Sequence, residues 1–182
     1  VGEPGNSLWE NKTYTYLFGK EHTIDSDYAA IVGGLNNSIG DNSEYSTVLG
    51  GNGNDIILAK YATVLGGYNN DINNANYSAI LGGNNNKVDA HYSVVLGGED
   101  NQIDSGADHS VAMGKNSKIN HSGVFLFSDS TGTAAESFSN DQFLIFAENG
   151  VGIGTNNVSG TPYYGAGSVS QKSLRVVGDV DV

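Results

Sequence analysis

Four seven-residue segments of this chain are near copies of one another: Tyr45-Ser-Thr-Val-Leu-Gly-Gly51, Tyr61-Ala-Thr-Val-Leu-Gly-Gly67, Tyr77-Ser-Ala-Ile-Leu-Gly-Gly83 and Tyr92-Ser-Val-Val-Leu-Gly-Gly98. Tyr28-Ala-Ala-Ile-Val-Gly-Gly34 is a fifth. Single-glycine versions at Tyr14 to Gly19 and His109 to Gly114 extend the series to about seven turns over residues 14–121. Each double-glycine copy is followed, eleven residues after its Tyr, by an apolar anchor: Ile39, Ile56, Ile72, Val88 or Ile103. The offset is ten in the copies that end at Ile24 and Ile119. From each anchor to the next aromatic the spacing varies, and the filler is Asp, Asn, Ser and Glu, the composition of surface loops.

A fixed part joined to a variable part is the signature of a stacked repeat. Segments such as Tyr45 to Gly50 are too short for a helix and rich in Val, Leu, Thr and Tyr, so they read as strands closed by a Gly-Gly turn. A second, weaker strand surrounds each Ile anchor. Composition agrees: 26 Gly and 22 Asn in 182 residues disfavour helix and favour turns. The expected fold is all-β, a parallel β-roll solenoid whose rungs lie about 4.8 Å apart. Residues 1–13 read as an N-terminal cap, 14–121 as the repeats, 122–155 as strands closing the roll, and 156–182 as a tail or assembly strand.

Alternation within the strand divides each rung. Leu49, Leu65, Leu81 and Leu96 share a face with Thr47, Thr63, Ala79 and Val94, whereas Val48, Val64, Ile80 and Val95 point the other way with Ser46, Ala62, Ser78 and Ser93. Both faces are apolar or small. One packs inside the roll against the Ile anchors; the other would expose an apolar stripe larger than a soluble monomer usually carries. A covering surface with the same repeat is most simply another copy of the chain. The expected oligomer interface is therefore Val48, Val64, Ile80 and Val95, with Val176 and Val180 of the tail.

The formal charge of −12, from 8 basic and 20 acidic residues, disfavours nucleic acid and anionic membrane surfaces as partners. No apolar run approaches 18 residues, so no membrane-inserted segment is expected. Absence of Cys decides little about compartment. Val1 opens without a basic and apolar leader, so any signal peptide is expected to have been removed or to lie outside this sequence.

His109-Ser-Val-Ala-Met-Gly114 and Tyr92-Ser-Val-Val-Leu-Gly97 resemble the head repeat of trimeric autotransporter adhesins, whose consensus is close to Asn-Ser-Val-Ala-Ile-Gly. The resemblance covers roughly 60% of the chain. It implies a left-handed parallel β-roll in an intertwined homotrimer, with Val111 and Met113 buried, Gly114 in the turn and Ser110 against the neighbouring chain. It also implies a secreted, cell-surface adhesion or fibre protein that meets a host glycan or matrix protein. Here Tyr or His stands where the consensus has Asn, and the repeat runs roughly sixteen residues against about fourteen. The segments Gly123-Val-Phe-Leu-Phe127, Asn140 to Phe146 and Gly150 to Thr155, with Ser7-Leu-Trp-Glu10, are more loosely similar to bacterial and phage-like tail fibres. That similarity makes a glycan-binding tail-fibre or filament subunit the alternative.

No enzyme motif emerges. Gly150-Val-Gly-Ile-Gly-Thr155 lacks the last glycine of a dinucleotide fingerprint and no helix follows it. Gly50-Gly-Asn-Gly-Asn-Asp55-Ile-Ile-Leu58 matches one turn of a calcium-binding β-roll, but calcium needs the motif on adjacent turns, where Asn36 and Tyr68 stand instead. No cofactor is expected, with weak calcium binding at this turn or at the acidic loops of Asp41 with Glu44 and Asp104 with Asp108 as the lesser alternative. His109 and His121 read as members of the Tyr column, and His22 and His91 as residues of polar turns. The Tyr column itself, Tyr28, Tyr45, Tyr61, Tyr77 and Tyr92, is the candidate ligand site: a partly buried ladder whose exposed part would suit sugars or apolar ligands. At the ends, Leu8 and Trp9 are expected to cover the first rung. Residues 174–182 are expected to pair with another chain, either winding into the trimer stalk or adding to the next subunit of a filament.

Overall fold

The computed structural model describes residues 5–8, 12–131, 134–148, 151–153 and 175–176. Among these there is no helix, and the chain climbs through two nine-stranded sheets, visiting them alternately. The first, here called the Ile sheet, is built from strands such as Ser38–Ile39, Asp55–Ile57, Asp71–Asn73 and Lys87–Val88. The second, the Val sheet, contains Ala30–Ile31, Thr47–Val48, Thr63–Val64, Ala79–Ile80 and Val94–Glu99. Pairing is parallel and in register, so that Thr47, Thr63, Ala79 and Val94 form one column and Ile39, Ile56 and Ile72 another.

The fold is thus the expected all-β parallel solenoid, with about eight turns. The repeat alone accounts for about seven; the rest come from sequence that has lost the consensus. Phe125–Ser128 pairs with Val111–Lys115, and Phe143–Phe146 pairs with Phe125–Ser128. These strands keep the rung position without keeping the motif, because a terminal rung needs β-forming side chains more than it needs a Gly-Gly corner.

The interior is one side chain deep from each sheet. Ile24, Ile39, Ile56, Ile72, Val88, Ile103 and Ile119 meet Ile31, Val48, Val64, Ile80, Val95 and Leu126, all fully buried. Small residues close the narrow end, where Ser46, Ala62, Ser78, Ser93 and Ser110 oppose Ser43, Ala59, Ala75, Ala90 and Ala107. The serine hydroxyls there replace ladder bonds: Ser46 Oγ donates to the Ala59 carbonyl at 2.7 Å and accepts from the Ala62 amide at 3.0 Å.

The face assigned to other chains is therefore the wrong one. Val48, Val64, Ile80 and Val95 have no exposed surface and form half of the core. The outward residues are Leu49, Leu65, Leu81 and Leu96, each more than 40% exposed. The serine column explains the parity, since only a small side chain fits beside the sharp corner and Val shares its side of the strand. The same correction applies to the last consensus copy: Ser110 and Ala112 point inward, and Val111 and Met113 are only partly buried on the outer face. Val176 pairs within its own chain, Gly152–Ile153 against Arg175–Val176. Val180, Trp9 and most of the tail from 156 lie outside the described residues.

The second glycine of each pair sets the other corner. Gly67 has φ +97°, and a Cβ there would run into the carbonyl oxygen of Gly83 one rung on. Neither the conformation nor the space admits a side chain. Gly67→Ala is expected to lower unfolding free energy by about 3 kcal/mol, whereas Gly106→Ala, with open space around it, should cost roughly 1 kcal/mol. Urea denaturation of the two variants checks the contrast.

Candidate functional site

Three surfaces flank this core, and each is built on a column of residues in register from rung to rung. The first is the aromatic ladder. Tyr14, Tyr28, Tyr45, Tyr61, Tyr77, Tyr92 and His109 all adopt the left-handed conformation, with φ between 52° and 65°. From Tyr28 to His109 their amides are paired with the rung below: Tyr61 N–H donates to the Glu44 carbonyl and Tyr77 N–H to the Lys60 carbonyl. A bulky side chain there costs about 1–2 kcal/mol, which ring stacking offsets by about 0.5–1.5 kcal/mol per pair. From Tyr28 to Tyr92 the ring centroids are 4.8–5.1 Å apart and the planes within 10° of parallel.

That geometry changes what the ladder offers. Tyr28, Tyr45, Tyr61, Tyr77 and Tyr92 are half exposed, at 44–53%, but each ring face is occupied by the next ring. A sugar cannot stack on them; ring edges and a row of hydroxyls meet the solvent. His109 continues the stack at 5.0 Å from Tyr92. His121 does not: the next two rungs of the column are Gly123 and Asp141, whose amides donate to Asp108 and Ser122 carbonyls.

The second surface is the outer face of the Val sheet. Phe18, Val32, Leu49, Leu65, Leu81 and Leu96 form an exposed apolar column, flanked by Ala30, Thr47, Thr63, Ala79 and Val94, which are partly buried. No charged side chain interrupts it from Phe18 to Leu96.

The third lies outside the Ile sheet, where the same outward positions carry Ser38, Asp55, Asp71, Lys87 and Gln102 in register. Asp55 and Asp71, with Gly53, Asn69, Asn85 and Lys87, line a shallow groove of about 350 Å³. Its rim is a second amide row: Asn69 Nδ2 donates to Asn85 Oδ1 at 3.1 Å, and Asn85 Nδ2 to Asp100 Oδ1 at 2.6 Å. Lys87 is drawn away to Asp89, 2.7 Å distant. Burial, with the charges of Asp55 and Asp89, pushes the Asp71 carboxyl up to about 6 against the pull of Lys87. Burial also raises Asp55, against the weaker pull of the nearby Ser38 hydroxyl and Ile56 amide. Two carboxylates and several amides in an open groove can bind hydroxyl-bearing or cationic groups by hydrogen bonds. Among the described residues no three His, Cys, Asp or Glu side chains converge to hold a metal ion. A Ser–His contact, His121 Nδ1 to Ser137 Oγ at 3.0 Å, is part-buried, and that hydroxyl already accepts the Asn120 amide.

One column escaped the sequence reading altogether. Two residues before every anchor stand His22, Asn37, Asn54, Asn70, Asn86, Asn101 and Ser117, and all are buried. Asn70 Nδ2 donates to Asn54 Oδ1 at 3.1 Å and to the Gly66 and Gly83 carbonyls at 3.0 and 3.1 Å. Its Oδ1 accepts both the amide and the side chain of Asn86. His22 continues the column by accepting the Asn37 amide on Nδ1 at 2.9 Å; burial lowers its pKa. So His22 is an interior rung, not a turn residue. Asn54, part of the calcium-like turn, is committed to this ladder, leaving Asp55 alone to face outward. The signal was present: Asn stands two residues before Ile39, Ile56, Ile72, Val88 and Ile103.

Compared with known families, curated proteins and solved structures, the chain has no match.

The raised Asp71 carboxyl has a consequence for stability. Its folded value, about 6, lies above the unfolded 3.8, so the folded chain holds this proton more tightly. That contribution is complete below about pH 4 and is lost as pH rises through about 6. Asp71→Asn should therefore leave the thermal midpoint unchanged near pH 4 and raise it at about pH 7.5, by the equivalent of about 1 kcal/mol after solvent screening. Melting curves of both proteins at the two pH values check the sign.

Proposed function

We propose that this chain is a segment of an extracellular, non-enzymatic fibre or adhesin head, self-associated as a homotrimer through the outer face of the Val sheet. The observation that carries this reading is the uninterrupted apolar column of Phe18, Val32, Leu49, Leu65, Leu81 and Leu96. Across nine rungs at about 4.8 Å the face is roughly 40 Å long and two side chains wide. Its area is of the order of the ~800 Å² that each member of a stable complex contributes, and larger than the patches a monomer usually exposes.

Copies of the same chain are the occupants that fit best, because their side chains repeat at the same spacing and dock in register along the whole length. Charge placement supports the same orientation. The carboxylates of Asp55, Asp71, Asp89 and Asp104 lie on the Ile-sheet side, so three copies can turn their apolar faces to a common axis and their acidic faces to the solvent. The resemblance of His109-Ser-Val-Ala-Met-Gly114 to adhesin head repeats points to the same assembly and to a secreted, surface-exposed setting. With a formal charge of −12, the outward faces suit a surface glycan or matrix protein better than nucleic acid or an anionic membrane.

Analytical ultracentrifugation tests the reading. The full chain is expected to sediment at three times 19.0 kDa at micromolar concentration. The double variant Leu65→Glu, Leu81→Glu, altered only at exposed positions, should sediment as a folded single chain with unchanged circular dichroism. A folded wild-type monomer under the same conditions would overturn it.

A further inference from the structure

We infer that the tyrosine ladder is a site of oxidative cross-linking, at which tyrosines of successive rungs join as dityrosine within one chain. The inference is independent of self-association. Three observations carry it. Tyr28, Tyr45, Tyr61, Tyr77 and Tyr92 are held in register with ring centroids 4.8–5.1 Å apart. All five are half exposed, so a one-electron oxidant reaches the phenols and a ring has room to swing. Every ladder tyrosine also occupies a left-handed backbone position where Asn or Gly would be less strained. The corner itself does not require an aromatic ring, since Gly123 and Asp141 take the same position two rungs along.

The chemistry needs an oxidant, and a haem peroxidase with hydrogen peroxide supplies it. Each of two neighbouring tyrosines gives up one electron and its phenolic proton, and the peroxide takes both electrons and both protons to become two waters. The two phenoxyl radicals then couple through an ortho ring carbon of each, the rings turning out of the stack so that these carbons meet edge to edge. The hydrogen on each coupled carbon moves as a proton to the phenoxyl-derived oxygen, restoring both phenols. The linked pair is lighter than two tyrosines by two hydrogens. A stacked ladder favours this outcome because a radical on any ring always has a neighbour in contact, and Tyr14, 71% exposed, opens the stack to the oxidant at one end. The effect is a covalent staple between rungs whose sequence positions differ by about sixteen, closing a loop as a disulfide does in a chain that has no Cys.

The test is peroxidase treatment of the purified full chain with limiting peroxide, followed by fluorescence, denaturing electrophoresis and mass mapping of proteolytic peptides. Expected are dityrosine fluorescence, a band that stays at the size of one chain, and peptides joining Tyr45 to Tyr61 and Tyr61 to Tyr77. Tyr61→Phe keeps a stacked ring but has no phenol; it should lose both those links and retain Tyr28–Tyr45 and Tyr77–Tyr92. Urea-unfolded chain should lose the preference for adjacent rungs. The inference is overturned if links form chiefly between chains, or chiefly through Tyr16 and Tyr68, which are more exposed but outside the stack. It is equally overturned if folded and unfolded chains give one pattern, or if no dityrosine forms while free tyrosine is oxidised in the same solution.

Discussion

Everything in this structure depends on how a sharp backbone corner can be repeated at β-sheet spacing without leaving buried polar groups unpaired. At the Gly-Gly corner the chain turns too tightly for its carbonyls to be served by ladder hydrogen bonds alone. The buried asparagine on the far side of the turn completes the set. Asn86, for example, donates to the carbonyls of Gly82 and Gly98 and to Asn70 Oδ1, and its own Oδ1 receives the Asn101 amide. An unpaired buried group would cost about 1–3 kcal/mol, repeated on every rung, so the amide column is a condition for stacking the corners at all.

Register follows from that column. Each Asn must meet the one below through both its amide and its side chain, so the stretch from Tyr to anchor has a fixed length, while the exposed loop after the anchor is free to vary. Once the corner is locked, strand parity is decided by the narrow end of the roll, where only Ser and Ala fit. Val and Ile then go in and Leu goes out. The division of the surface is a by-product of this packing: an apolar Val-sheet face, a carboxylate-and-amide Ile-sheet face, and an aromatic edge between them. Six lysines among the described residues are all engaged with acids on the same or neighbouring rungs.

The solenoid, its two strands per rung and the inward Ile anchors were legible in the sequence, because a fixed eleven-residue offset has few other meanings. The Tyr column was legible as a column, though its closed ring faces were not, since composition does not reveal a stack. The direction of the Val strand was misread because both faces carry branched apolar residues. Hydrophobicity alone cannot choose between Val48 and Leu49; the size of Ser46 could have done so. The asparagine ladder was overlooked because a chain with 22 Asn hides one buried column among many surface ones. Only the constant offset from Ile56, Ile72 and Val88 separates Asn54, Asn70 and Asn86 from their exposed neighbours Asn69 and Asn85. The groove of Asp55 and Asp71 depends on two rungs coinciding, and the sequence gives no hint that their carboxyls would be half buried.

The fold stands on the asparagine ladder, and two isosteric substitutions at adjacent positions test that dependence most directly. Asn70→Asp keeps the shape and the acceptor but turns the donor into an oxygen that faces Asn54 Oδ1 and the Gly66 and Gly83 carbonyls. Asn69→Asp makes the same chemical change on the exposed rim. Measured by urea denaturation at neutral pH, Asn70→Asp is expected to cost about 3 kcal/mol or more, and Asn69→Asp less than about 1 kcal/mol. Equal and small losses for the two variants would contradict the claim that the buried amide column holds the corners together.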